Sequence, residues 1–334
     1  MLSDDPSAWY RMSGVLNYIN HPELRFVDIT QDKVYSWETL SHCSTLILQR
    51  PTADAHISLI KLAKDMNIRI ICDWDDDLFS VHVHRNANIN YEDMKRNVKM
   101  TLHLSDEVWV TTPALKKIYK PFNRNIHIIP NSHNDYLFPI SGKMSFRKGK
   151  LITYRGGASH QLDVQENIHD LWKTISENQK WEFRFVGAGM LKNPDNPSEG
   201  YKTMFELLDE RTVGLKNHTF TLPNSLIQFF KVYQEFNAQI AFFPLVTHAF
   251  NQAKSNISLL EATYAGSCYL GNRNLKEFDY PFVTDISDGL YEPFNELKND
   301  YPRMKRLNYM AWEWLISERL LSNINKLRIE RLLL

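Results

Sequence analysis

Short apolar runs alternate with amphipathic stretches along nearly the whole chain. In the first half, Leu24–Ile29, Ser44–Gln49, Ile68–Trp74, Glu107–Thr112 and Ile126–Asn131 are apolar and bounded by polar clusters, and they read as strands. Between them, ADAHISLIKLAKDMN from Ala53 and PALKKIYKPF from Pro113 carry helical spacing. Strands rich in Ile and Val without polar alternation are buried on both faces, which is the habit of a parallel sheet covered by helices.

The alternation breaks at PISGKMSFRKGK, Pro139 to Lys150, and then restarts. Lys150–Gly157, Trp181–Gly189, His218–Pro223, Ala238–Leu245 and Ser267–Asn272 form a second set of expected strands. From Tyr301 onward the signals are helical only, with Trp312 and Trp314 inside them. A chain of 334 residues exceeds one ordinary core, so two domains are expected. The reading is an α/β protein of two doubly wound domains, 1–140 and 141–308, followed by a helical segment, 309–334. In such sheets ligands bind outside the strand carboxyl ends, so the site is expected on loops that follow strands, where the two domains face a cleft.

Composition narrows the class. Acidic and basic residues balance at 39 each, which argues against a surface built wholly for nucleic acid, although a local basic patch would not show in the total. Cys43, Cys72 and Cys268 lie far apart without metal-ligand spacing, and they read as reduced residues of a cytoplasmic protein. The chain opens without a signal-peptide pattern and contains no apolar run of roughly 18 residues that could span a bilayer. Twelve glycines leave little room for flexible linkers.

Four stretches carry candidate chemistry. CDWDDDLFSVH places Asp73, Asp75, Asp76 and Asp77 within five positions after a strand, and such crowding persists where a cation, a polyol or backbone amides relieve the repulsion. An Asp-x-Asp could hold a divalent metal, whereas a solvated loop with Asp77 as a helix cap needs none. In TYRGGASHQLDV, Gly156 and Gly157 let the backbone approach a ligand between Arg155 and His160, although a tight turn explains two glycines equally well. FVGAGM lacks the third glycine of a dinucleotide fingerprint. AFNQAKSNISLLEATYAG, Ala249 to Gly266, reads as a helix that Asn251 caps, with the amides near Ala253 to Ser255 turned toward an anion. Lys254 works against the helix dipole there unless an anion is present. Seven residues separate Lys254 from Glu261, which would put both on one helix face.

LILQRP (Leu46–Pro51), CDWDDDLF (Cys72–Phe79), DEVWVTTPALKKIY (Asp106–Tyr119), HIIPN (His127–Asn131) and FFPLVTHAFNQAKSNISLLEATYAG (Phe242–Gly266) recur in an order that resembles the retaining GT-B glycosyltransferases of the broad family-four-related group. YRMSGVLNYI, Tyr10 to Ile19, is similar to that group's first helix. The resemblance covers nearly the whole chain. It implies two Rossmann-like domains facing a cleft, with a C-terminal helix crossing back to the first.

It also implies roles. The family's Glu-x7-Glu element falls on Ala253 and Glu261, so Glu261 would hold the nucleotide ribose, while Ala253 departs from the Glu that usually touches the donor sugar. Arg155 and Lys254 would neutralise the diphosphate, with Gly156 and Gly157 near the phosphates, His160 beside them as a catalytic candidate, and Asn251 and Ser255 in polar contact. Asp73, Asp75, Asp76 and Asp77 would bind acceptor hydroxyls or help deprotonate the nucleophile. The co-substrate would be a nucleoside-diphosphate sugar, a UDP-sugar before others, with no bound metal and no further cofactor. The acceptor is open between a glycan and a hydroxymethylated base in phage-type DNA, for which the basic run Lys116–Asn125 is the sequence feature. An inactive binding subunit, motivated by Ala253, and a sugar-nucleotide epimerase on the same fold are the alternatives.

Overall fold

The computed structural model describes residues 6–29, 37–81, 90–140, 149–156, 160–186, 217–221, 228 and 237–334. Two compact units emerge. The first comprises residues 1–137, 252–255 and 321–334, and the second residues 138–251 and 256–320.

The first unit carries a parallel sheet in the order β1 (Thr45–Gln49), β2 (Arg69–Trp74), β3 (Glu107–Val110) and β4 (Ile126–Ile128). Cys72 lies between Leu48 and Val108 in register, so the crowded aspartates that follow it emerge at the carboxyl end of a central strand. The helix Asp54–Asp65 buries Ile57, Ile60 and Ala63 at three-residue spacing, starts on an aspartate and ends near Lys64, each favourable to its dipole. The helix Tyr91–Leu104 is capped by Asn90, whose side chain accepts from the Asp93 amide at 3.3 Å. Thr112 caps Pro113–Tyr119 by accepting from the Leu115 amide at 3.2 Å. Trp74 and Trp109 are both fully buried, on opposite faces of the sheet, as the two-residue strand period requires.

The second unit holds six parallel strands in the order β10 (Val283–Asp285), β9 (Cys268–Gly271), β8 (Ile240–Phe243), β5 (Leu151–Arg155), β6 (Glu182–Val186) and β7 (His218–Thr221). The chain winds outward from β5 through β6 to β7, then begins again on the other side of β5 with β8. The strand order therefore reverses between β5 and β8, and a crevice opens at their carboxyl ends.

Nine of the ten expected strands form, most with trimmed ends; β4 stops three residues short of the expected Asn131. Leu24–Ile29 does not: it has no strand pairing, and Val27 is 77% exposed. It joins neither sheet among the described residues. β10 lacks a sequence signal, since three residues are too few to show a period. Tyr10–Ile19 is not one helix. A wide helical turn over Trp9–Ser13 and a tight one over Leu16–Tyr18 flank Gly14, where a side chain would strike the Trp9 ring at 2.6 Å. The three cysteines are free; burial pushes the Cys72 and Cys268 thiols up to about 12. No helix among the described residues is long and apolar enough to cross a membrane.

Glu107 clamps the first unit. Fully buried, it accepts from Arg69, from the Trp109 indole at 2.7 Å and from Arg331 at 2.9 and 3.0 Å. It thereby holds the helix Leu321–Leu332 to the sheet. Burial alone would raise its carboxyl, yet the hydrogen bonds from Arg331, Trp109 and Arg69 hold it below the usual carboxylate range. A depressed folded value gives stability that is complete above the unfolded value, about 4.3, and lost as pH falls through the folded one. Glu107→Gln is expected to lower stability at neutral pH by about 1–3 kcal/mol and to flatten the acid limb of the stability curve. Urea unfolding measured across that pH range tests both.

Candidate functional site

At the carboxyl end of β2, the aspartates are divided among different partners. Asp73 forms a two-pronged pair with Arg11, at 2.8 Å to Nε and 2.6 Å to Nη2, and neither side chain is exposed. Arg11 Nη1 also donates to the Ile129 carbonyl at 2.7 Å and to Asn131 Oδ1 at 3.1 Å. Asn131 in turn donates to Ser255 Oγ at 2.9 Å. A chain of bonds therefore links two expected site residues, Asp73 and Ser255, through two that the sequence reading passed over. Asp73 is thereby held as a buried anchor.

Asp75 and Asp76 share Arg50, whose Nε reaches the first and Nη2 the second. Arg50 follows β1 with φ +46°, a conformation rare for a side-chain-bearing residue, and its amide donates to the Asp73 carbonyl at 3.0 Å. Holding a non-glycine residue there costs on the order of 1–3 kcal/mol, and such strain gathers at functional positions. Lys254 Nζ stands 4.0 Å from Asp76. Burial raises the Asp75 carboxyl above its ordinary range; Arg50 opposes the shift, and Asp76 and Asp73 reinforce it. Asp77 caps a turn by accepting from the Phe79 amide at 2.9 Å, and no helix begins there.

In the second unit, Arg155 ends β5, on one side of the strand-order reversal. Its Nε lies 2.6 Å from Glu261 Oε2, and the Glu261 side chain is 2% exposed. Asp163, absent from the expected set, organises the neighbouring loops. It accepts from His160 Nδ1 at 2.8 Å, from Asn251 Nδ2 at 2.8 Å and from the Val246 amide at 3.0 Å, which ties the loop after β5 to the loop after β8. Burial would raise its carboxyl, but the His160, Val246 and Asn251 bonds hold it low. The hint in the sequence is its place three residues after His160. Gly156 is required because a side chain there would meet the Tyr154 hydroxyl at 2.2 Å. Gly157 and the FVGAGM glycines, Gly187 and Gly189, lie outside the described residues.

The stretch Ala249–Gly266 is not one helix. A short helix, Ala249–Gln252, and a second, Ile257–Tyr264, are separated by Ala253–Asn256. Asn251 consequently does not cap the second helix; its amide binds Asp163 and the Val246 carbonyl. Lys254 and Glu261 do not share a helix face, for residues 252–255 belong to the first unit and Glu261 to the second. The interruption has a cause. The Ala253 carbonyl accepts from Thr112 Oγ1 at 3.0 Å, a bond that competes with a continuous helical ladder, while Ser255 Oγ accepts from Asn131.

Removing Arg11 leaves Asp73 charged and dry. Arg11→Met is therefore expected to cost about 3–5 kcal/mol. Arg50→Gly, by contrast, relieves an unfavourable backbone angle while releasing two carboxylates, so its net loss should be the smaller. Paired urea titrations of the two variants measure this difference.

No protein-family model matches the sequence, and comparison with curated proteins found no match. Solved structures do match. A TarM variant from S. aureus, in complex with fondaparinux, alpha-GlcNAc-glycerol and UDP, aligns with TM-score 0.59 at 10% identity, over 86% of this chain and 54% of that one. A glycosyltransferase from Rickettsia africae aligns at 0.58 and 13% identity, over 85% and 75% of the two chains. The pneumococcal O-GlcNAc transferase GtfA, in complex with UDP and GlcNAc, aligns at 0.56 and 14% identity, over 88% and 57%. The chain thus spans about half the length of the TarM and GtfA chains. Identities this low speak to architecture alone: two parallel α/β sheets in the arrangement of the GT-B glycosyltransferases are the fold of this chain.

Proposed function

We propose that the protein transfers a glycosyl group, with retention, from a nucleoside-diphosphate sugar to an acceptor hydroxyl. The observation that carries this reading is the buried Arg155–Glu261 pair at the strand-order reversal of the second sheet, set in a GT-B fold. Arg155 would take the diphosphate, whose charge grows as the glycosidic bond breaks and the sugar acquires oxocarbenium character. Glu261 would accept from the ribose hydroxyls. His160 and Asn251, both held by Asp163, and the backbone at Gly156 would complete the donor contacts. UDP is the favoured nucleotide, in keeping with the UDP present in the TarM and GtfA complexes.

On the acceptor side, Asp75 is the group suited to proton transfer, because burial moves its carboxyl toward neutrality. Asp76, Arg50 and Lys254 would orient hydroxyls around it. Asp73, fully committed to Arg11, would position the loop without touching substrate. A glycan acceptor and hydroxymethylated DNA remain the two acceptor classes, the second favoured by exposed Lys116, Lys117, Lys120 and Arg124. A steep fall of DNA affinity with salt would distinguish them.

Ala253 favours a second reading, a GT-B subunit that binds without turnover. It is fully buried and offers a methyl group where the family pattern has a carboxylate.

Thermal unfolding with a panel of nucleoside diphosphates and their sugar conjugates tests the donor site. At about 100 times its dissociation constant, a ligand stabilises by roughly 2.7 kcal/mol, a readable shift in midpoint. The expected result is a shift with uridine nucleotides that disappears in Glu261→Ala and weakens in Arg155→Ala. Absence of a shift with every nucleotide would overturn the donor assignment. Binding without release of UDP, in the presence of glycan or modified DNA, would favour the binding subunit.

A further inference from the structure

The second unit has a cavity of about 730 Å³ that the donor site does not use. Its floor is built from residues that immediately precede three neighbouring strands: Lys150 before β5, Trp181 before β6 and Gln239 before β8. It therefore opens at the amino ends of the sheet. Arg155 ends the five-residue strand β5 at the other edge, on the order of 15 Å away. The size falls within the range of small-molecule sites.

The lining has a definite chemistry. Lys150, Lys180 and Lys298 approach from three different segments, and Glu177 is the one carboxylate among the described lining residues, giving a net charge near +2. Glu177 is engaged by the Tyr291 hydroxyl. Lys298 is held against the side-chain carbonyls of Asn178 and Asn295, at the end of the helix Tyr291–Leu297, where a cation also suits the dipole. Neither Lys150 nor Lys180 has an acidic partner among the described residues, and both are exposed.

Gln239 departs from a purely structural account of this surface. It is only 6% exposed, yet its carboxamide makes no hydrogen bond among the described residues and it lines the cavity. Backbone bonds at Gln239, from its amide to the Leu151 carbonyl and from the Cys268 amide to its carbonyl, fix it at the sheet edge. Its carboxamide atoms are not sealed from solvent; as part of the cavity lining they are open to pair with a group that enters.

We infer that this cavity is a second binding site, for a phosphorylated polyhydroxy compound such as a sugar phosphate, with the phosphate on Lys150 and Lys180 and a hydroxyl on Gln239. Ammonium groups only donate, which fits an oxyanion. A carboxamide both donates and accepts, which fits a hydroxyl.

The test titrates glucose 6-phosphate, glucose and inorganic phosphate separately into the full chain by calorimetry, with and without saturating UDP. Glucose 6-phosphate should bind tightest, UDP should leave its affinity unchanged, and Arg155→Ala should do the same. Gln239→Leu, which keeps the size of the side chain, and the exposed double change Lys150→Ala with Lys180→Ala should each weaken binding about tenfold or more. Lack of binding at millimolar concentration overturns the inference. So does displacement by UDP, binding that both variants leave intact, or inorganic phosphate binding as tightly as the sugar phosphate. Because this site and the donor site have separate probes and separate variants, failure of one is distinguishable from failure of the other.

Discussion

A guanidinium taken out of water must find its charge compensated, and the first unit is arranged around one such group. Arg11 is fully buried and spends its donors on Asp73, the Ile129 carbonyl and Asn131. Those partners come from the end of β2 and from the chain beyond β4, so the amino-terminal turn cannot move without exposing a buried carboxylate. Arg11 sits in the wide turn Trp9–Ser13, where it is buried together with Trp9 and Tyr10. Arg328 packs into the same environment. It is fully buried, its Nη1 donates to Asn325, and burial together with the Arg11 charge pushes its value down to about 9. Two guanidiniums around one carboxylate make this the most electrostatically demanding region of the unit.

The same rule explains why the aspartate cluster behaves as separate groups. Asp73 faces inward with its pair, Asp77 turns back on its own backbone, and Asp75 and Asp76 meet one arginine. Arg50 reaches both carboxylates from a left-handed backbone angle. A glycine would adopt that angle freely and bring no charge. The strain is therefore the cost of placing a guanidinium at this turn, and it leaves Asp75 with a carboxyl raised by burial beside one held in reach of Lys254. Two neighbouring carboxyls thus sit in unlike surroundings.

How much of this was legible in the sequence depends on the range of the interaction. Strands such as Ile68–Trp74 and Ala238–Leu245 announce themselves, because burial on both faces imposes an unbroken apolar run on the chain itself. Arg155 and Glu261 stood out in the sequence by their positions after a strand and inside a motif, although their pairing did not. Arg11, Arg50 and Asp163 escaped because each is defined by partners 25 to 120 positions away. A lone arginine in a helical stretch carries no mark of that. The helix expected across Asn251–Glu261 failed for the same reason: its local pattern is sound, but Thr112, far away in sequence, claims the Ala253 carbonyl in its middle.

That interruption alters what the Lys-Ser element can do. In a continuous helix, Lys254 would stand two turns from Glu261 and act on the same ligand atoms. Released from the helix, Lys254 approaches Asp76, and Ser255 joins the Arg11–Asp73 network through Asn131. The charge of Lys254 is thus available to Asp76, which explains why a lysine unfavourable to a helix start stands at this position: it does not stand at a helix start. On the proposed function, neutralising the diphosphate would fall chiefly to Arg155, whose pairing with Glu261 fixes its direction in advance. Such preorganisation is where electrostatic catalysis draws its advantage, since a dipole already aligned loses nothing to reorientation when charge develops.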